Sequence, residues 1–166
     1  PATEWAMTVE PGTQVSVGGP GPAKPLPEGH SFYLLAGDMT ALPAISVNIE
    51  ALPADARGLA VIEVMSVDDR QDIACPEGVE IQWLVAEQPG LGSQAHLQTI
   101  RDAGWPADDL YAWVAAEFST MQALRAYLRD ERELGPDRLY ISSYWKSGLT
   151  EEGHKLAKRE DDEAQV

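Results

Sequence analysis

The 166-residue chain has one cysteine, Cys75, which rules out an internal disulfide and any zinc site built on several thiolates. That scarcity fits a reducing compartment, and a cytoplasmic location is expected. Positive charge is also scarce: 12 Lys and Arg stand against 27 Asp and Glu, giving a formal net charge of −15. A chain this acidic repels a phosphate backbone, and no dense Lys/Arg cluster offsets the effect, so nucleic acid is excluded as a partner. No apolar run approaches the roughly 20 residues of a spanning helix. The first residues have neither the basic nor the apolar stretch of a secretory signal, so no membrane partner is expected.

Several chemical signatures are missing as well. There is no GxGxxG fingerprint, no Walker sequence and no GxSxG elbow. His30, His96 and His154 are scattered, without carboxylates or thiols at ligand spacing, so no metal site is expected. The paired acids Asp68-Asp69, Asp108-Asp109 and Asp161-Asp162 are sequence neighbours that cannot face each other across a cleft, which disfavours glycosidase-like chemistry.

What remains is enough for one folded domain, with 44% hydrophobic residues. Pro and Gly crowd the stretch from Gly18 to Gly29, which reads as a connector, and Thr13–Val17 before it alternates like a lone strand. From Ser31 onward strands and helices alternate. The runs Phe32–Ala36, Leu59–Met65 and Leu110–Ala116 are mostly apolar and suit central strands; Val79–Val85 and Arg138–Trp145 alternate and suit flanking ones. Leu42, Ile45, Ile49 and Leu52 mark a helix with Thr40 as its expected N-cap and Pro53 as its stop. A shorter helix covers about Ser93 to Gly104. Phe118, Met121, Leu124 and Leu128 mark another, with Ser119 and Gln122 placed as a capping box and Gly135-Pro136 as its end. The last helix begins at Thr150, and the final seven residues read as a frayed, solvated tail.

This alternation predicts an α/β fold: a three-layer, five-stranded parallel sheet in the order 3-2-1-4-5. Ligands then meet the switch point between strands one and four, at Gly37–Pro43 and Ala115–Ser119. Gly37 and Thr40 suit a tight turn with donors at a helix start, although any capped strand-to-helix turn uses the same residues. Glu117 is either a site carboxylate or a solvated first-turn acid. Tyr144-Trp145-Lys146 could stack on a planar cofactor and meet an anion, or could be core and rim.

Taken in order, PATEWA, PGTQVSVGGP, YLLAGDMTALPAI, VIEV, WVAAE, Leu124-Arg125 and YWKSG resemble the siderophore-interacting protein family. These are flavin-dependent ferric-siderophore reductases of the ferredoxin reductase superfamily. The resemblance implies a barrel remnant and linker at 1–29, an NAD(P)H-binding domain at 30–150 and a C-terminal helix and tail at 151–166. It places Gly37, Asp38, Thr40, Ala41 and Pro43 in the nicotinamide and pyrophosphate pocket, with Ala115, Ala116 and Glu117 opposite. Ser66 and Arg70 follow the second strand and bear on NADH against NADPH, where the neighbouring Asp68 and Asp69 tip the expectation to NADH. Thr3 matches the flavin-pyrophosphate motif, Thr13–Val17 matches a last barrel strand, and Tyr144 and Trp145 would border FAD. Lys146 would meet a ferric siderophore.

The family pattern usually has glycine at Ala116 and arginine at Lys146. The implied cofactors are NAD(P)H and FAD, the latter held mainly by a flavin-binding domain, and the implied substrate partner is a ferric siderophore. A ferredoxin-fed reductase and a non-catalytic acidic interaction domain are the rival expectations.

Overall fold

The computed structural model describes residues 2–19, 21, 23–88, 90, 92–105 and 109–165. Five strands, β1 (Phe32–Gly37), β2 (Arg57–Val64), β3 (Gly78–Val85), β4 (Leu110–Glu117) and β5 (Leu139–Trp145), form one sheet in the order β3-β2-β1-β4-β5. All pairings are parallel, with Tyr33 opposite both Gly58 and Tyr111. Among the described residues five α-helices accompany them: α1 (Ala2–Thr8), α2 (Leu42–Glu50), α3 (Ser93–Asp102), α4 (Phe118–Arg125) and α5 (Glu151–Glu163). The expected fold class and strand order are therefore those of the molecule.

Strand alternation divides the core. Tyr33, Leu35, Ala60 and Ile62 point to one face, where Leu42, Ile45 and Ile49 of α2 cover them. Leu34, Ala36, Val61 and Val114 point to the other, against Ile100 of α3 and Leu124 of α4. Each fully buried Leu or Ile in these layers contributes about 1.5–3 kcal/mol. β1 has apolar partners on both faces, which is why its sequence reads as an unbroken apolar run.

Four expectations are corrected. Residues 13–17 form no strand; they are exposed, and no neighbouring strand satisfies their backbone groups. The regular element near this end is instead α1, which the sequence reading did not foresee. Thr40 does not cap α2, because its hydroxyl donates to Asp38 at 2.6 Å and Ala41 occupies the cap position. α4 is capped by Glu117, whose side chain accepts from Ser119 N, rather than by a Ser119/Gln122 box. That helix continues as a π-helical turn, Ala126–Glu131, and closes at Arg132, with Glu133 left-handed at φ 54°, before Gly135 is reached.

The C-terminal tail is the fourth. α5 runs to Glu163, and Asp161 forms a fork with Arg125 at 2.6 and 2.9 Å, both side chains only 10% exposed. This pair holds Arg125 above and Asp161 below their ordinary values, chiefly through their mutual hydrogen bonds. Thr150 does cap α5, accepting from Gly153 N.

The proline-rich segment is docked rather than loose where it is described. Lys24 O accepts from Trp113 Nε1 at 3.1 Å, Leu26 N donates to Asn48 Oδ1 at 3.2 Å, and Tyr33 OH donates to Pro27 O at 3.0 Å. Leu26 also packs on the α2 side of the core.

Candidate functional site: the C-terminal edge of the sheet

The ends of β1, β4 and β5 converge on one carboxylate. Gly37 closes β1, and a Cβ there would lie 2.5 Å from Ala115 O, so the approach of the two strands requires glycine. Asp38 follows, 5% exposed. Its Oδ1 accepts from Thr40 N at 2.9 Å and from Thr40 Oγ1, while its Oδ2 accepts from Glu117 N and Trp145 Nε1, each at 2.8 Å. Four donors compensate the burial of this acid and fix the turn that opens α2.

Glu117 is a second brace. Its Oε2 accepts from the backbone and hydroxyl of Ser119, and its Oε1 accepts from Ser147 N at 3.0 Å. Burial pushes its pKa up, but the donors from Ser119, Ser147 and Thr120 outweigh that and hold it below the usual carboxylate range. β4 is thereby tied to the loop that carries Lys146.

A third acid, Glu63, lies one residue before the end of β2 and is 3% exposed. Gly90 N donates to its Oε1 at 3.0 Å, whereas Oε2 is buried without a hydrogen-bond partner among the described residues. A Cβ on Gly92 would fall on Oε2, so any larger residue there would have to push the Glu63 carboxylate aside. His96 lies beside it, with Nε2 3.1 Å from Gly37 O and Nδ1 3.0 Å from Gly92 O. The imidazole thus joins the end of β1 to the start of α3.

Above these braces lies a cavity of about 320 Å³ lined by Asp38, Met39, Thr40, Glu63, Val64, Met65 and Trp145. It occupies the end of the β1–β2 crevice, one strand away from the expected β1–β4 switch point, with Trp145 reaching over from β5. Asp38, Thr40 and Trp145 are the expected site residues that line it. Gly37, Ala41, Ala115, Ala116 and Glu117 are buried beside it, and Pro43 is exposed in the first turn of α2.

Ser66 caps a 3₁₀ turn, Val67–Asp69, through Asp68 N, while Asp69 accepts from Ser66 N; Arg70 follows, exposed. Tyr144 is 39% exposed and meets Trp113 edge-on at 6.4 Å. Burial and the neighbouring Tyr140 push its phenol up to about 12. Lys146 places its ammonium 4.0 Å over the Phe118 ring. The side chain of Thr3 lies outside the described residues.

Glu63, His96, Met39 and Met65 were not foreseen as site residues. Glu63 carried a readable signal, a lone acid inside the otherwise apolar run LAVIEVM. His96 carried none, since its partners are backbone carbonyls. Among the described residues no cluster of three metal-ligating side chains occurs, and no helix is long and apolar enough to cross a membrane.

The open parallel sheet with its cavity at the strands' C-terminal edge defines a ferredoxin reductase-like α/β domain. The chain belongs to the siderophore-interacting protein family, whose sequence pattern matches residues 30–148. It is 36% identical over 156 residues to the ferric vibriobactin reductase ViuB of Vibrio cholerae, covering 93% of this chain and 57% of that protein. It is 29% identical to the NADPH-dependent ferric-chelate reductase of Escherichia coli, covering 87% and 56% of the two chains. The crystal structure of the siderophore-interacting protein SipS from Aeromonas hydrophila aligns with a TM-score of 0.80 and 32% identity, over 98% of this chain and 64% of that one. The chain thus spans somewhat more than half the length of the curated relatives it matches.

Proposed function

We propose that this chain is the NAD(P)H-binding part of a flavin-dependent ferric-siderophore reductase, working in the cytoplasm with a flavin-binding domain of the same protein. The observation that carries the proposal is the cavity built on the Gly37–Thr40 turn at the C-terminal edge of β1 and β2. Its residues fit a dinucleotide. Glycine at 37 keeps the strand end tight, Thr40 is exposed at the head of α2, and Trp145 offers an aromatic wall for a flat ring. The relatives named for ferric reduction support the same reading.

The chemistry such groups supply when bound is hydride transfer from nicotinamide to flavin, then single-electron transfer to Fe(III), which the chelator holds less tightly as Fe(II). The residues of this chain position and exclude. Asp38 locks the turn and the Trp145 indole in one arrangement, and Glu117 holds the loop bearing Lys146. Ala41 and Pro43 set the start of α2, while Ala115 and Ala116 back the pocket from β4. Ser66 and Arg70 border the adenosine ribose, where Asp68 and Asp69 disfavour a 2′-phosphate and so favour NADH. Tyr144 and Trp145 border FAD, Thr3 belongs to the flavin side, and Lys146 counters the repulsion between this acidic chain and an anionic ferric chelate. Residues 1–29 are the remnant of the flavin barrel and its linker, 30–150 the nucleotide domain, and 151–166 its closing helix.

Calorimetric titration of the 166-residue chain with NADH and NADPH tests the reading. Binding of NADH, the tighter of the two and weakened in Trp145→Phe, is expected. Absence of heat with either nucleotide would overturn it.

A further inference from the structure

We infer that the chain has a second small-molecule site, at the opposite end of the sheet from the cavity over β1 and β2, and that it takes an α-amino acid with a large apolar side chain. The inference goes beyond the nucleotide reading and does not depend on it.

The site follows from how the chain crosses the sheet. β3 is an edge strand and β4 lies beyond β2 and β1, so α3, which joins them, lies over the inner strands and packs Ile100 against Leu34 and Leu59. The outer part of β3 is left open on that face, and there it carries Glu80 and Gln82 instead of apolar residues. After α3, Gly104 is left-handed at φ 76° and turns the chain so that Trp105 reaches the opening. The Trp105 ring is held in place by the Arg132 guanidinium, 4.1 Å from its centroid, and by an edge-on contact with Tyr127 at 6.3 Å. These elements enclose a cavity of about 290 Å³ that shares no lining residue with the cavity over β1 and β2.

The lining sets the ligand's chemistry. Leu34, Leu59, Ile100 and Leu110 form a buried apolar wall, while Arg57 and Glu80 are exposed at the mouth. Arg57 lies opposite Gly78 and Leu59 opposite Glu80 in the parallel ladder, so the Arg57 and Glu80 side chains leave the same face of neighbouring strands, one diagonal step apart. They do not pair. Glu80 Oε1 accepts from Gln82 Nε2 at 2.6 Å, and Arg57 forms no ion pair among the described residues.

A ligand with both a carboxylate and an ammonium satisfies the two at once. Its carboxylate forks onto the Arg57 guanidinium, and its ammonium meets Glu80 near the negative end of α3. The side chain then enters the apolar wall, where Trp105 suits an aromatic ring. A ligand with one charge gains one of these contacts and is repelled by the other residue. The volume, at the low end for small-molecule sites, suits a single amino acid and is too small for a dinucleotide.

The test is an NMR titration of the ¹⁵N-labelled 166-residue chain with L-phenylalanine. Saturable shifts centred on residues 57–59, 78–82 and 100–105 are expected, with a Kd of about 1 mM or tighter. Phenethylamine and 3-phenylpropionate, which keep the ring and one charge each, are expected to bind about fivefold or more weakly. Arg57→Ala and Glu80→Gln, both at exposed positions, are each expected to weaken L-phenylalanine by a similar factor while leaving the rest of the spectrum in place. No saturable shift, shifts centred instead on Asp38 and Trp145, single-charge analogues that bind as tightly, or an affinity unmoved in both variants would overturn the inference. Each of those results leaves the nucleotide reading to its own titration.

Discussion

The Trp145 indole N–H reaches Asp38 Oδ2 at 2.8 Å across 107 positions of sequence, so the end of β5 is fastened to the turn after β1 over the end of β4. Trp145→Phe removes the donor and leaves that oxygen with Glu117 N alone. A loss of about 1–2 kcal/mol in urea unfolding is expected. Near-UV dichroism should show the remaining aromatic environment intact, and a stability equal to wild type would show that the bond is idle.

Gly92 and Glu63 form a steric pair. Gly92→Ala sets a methyl group against Glu63 Oε2 and is expected to cost about 1–3 kcal/mol by thermal or denaturant unfolding. In a Glu63→Ala background the penalty should nearly vanish. An equal penalty in both backgrounds would place its cause in the backbone instead.

The Arg125–Asp161 fork anchors α5 to α4. Asp161→Asn leaves a buried guanidinium without its counter-charge and is expected to cost about 3 kcal/mol, whereas Arg125→Met with Asp161→Leu should come much closer to wild type. Unfolding free energies of the three variants form the measurement.

Stability should fall in two stages on acidification. Burial, reinforced by Lys158, holds His154 below its ordinary value of 6.5, so the folded state resists protonation that the unfolded chain accepts, and the first decline begins below about pH 6.5. Glu117 and Asp161, held below 4.5 and 3.8, add stability that is complete above those values and lost as pH falls through their lowered folded ones. Denaturant midpoints from pH 8 to pH 3 check this; His154→Gln should remove the upper stage alone. A flat profile between pH 7 and 5 would contradict the placement of His154.

The fold was legible because it rests on patterns that local sequence states directly. Phe32–Ala36 is apolar on both faces because β1 is covered on both, while Val79–Val85 alternates because β3 is an edge strand. The misread pieces depended on partners far along the chain. Thr13–Val17 has the alternation of a strand and no strand beside it. Asp161 lies in a run of acids that reads as solvated tail, and only Arg125, 36 positions earlier, makes it part of the interior.

At the site, the turn after β1 was legible from its Gly, Asp and Thr. Its four-donor carboxylate was not, since Glu117 N and Trp145 Nε1 come from other strands. Glu63 announced itself as an acid in an apolar strand, but its half-satisfied state depends on a chain crossing at Gly90 and Gly92 that spacing does not encode.

The central position of β1 also constrains how the chain is made. Its second neighbour, β4, enters far later, as the bond from Ser31 Oγ to Asp109 O, 78 positions apart, shows. During synthesis β1, β2 and β3 can align first, but one side of β1 stays an open, fully apolar edge until β4 leaves the ribosome. That interval, at roughly 5–20 residues per second, lasts several seconds and is the period in which the nascent chain is most exposed to pairing with a second copy of itself.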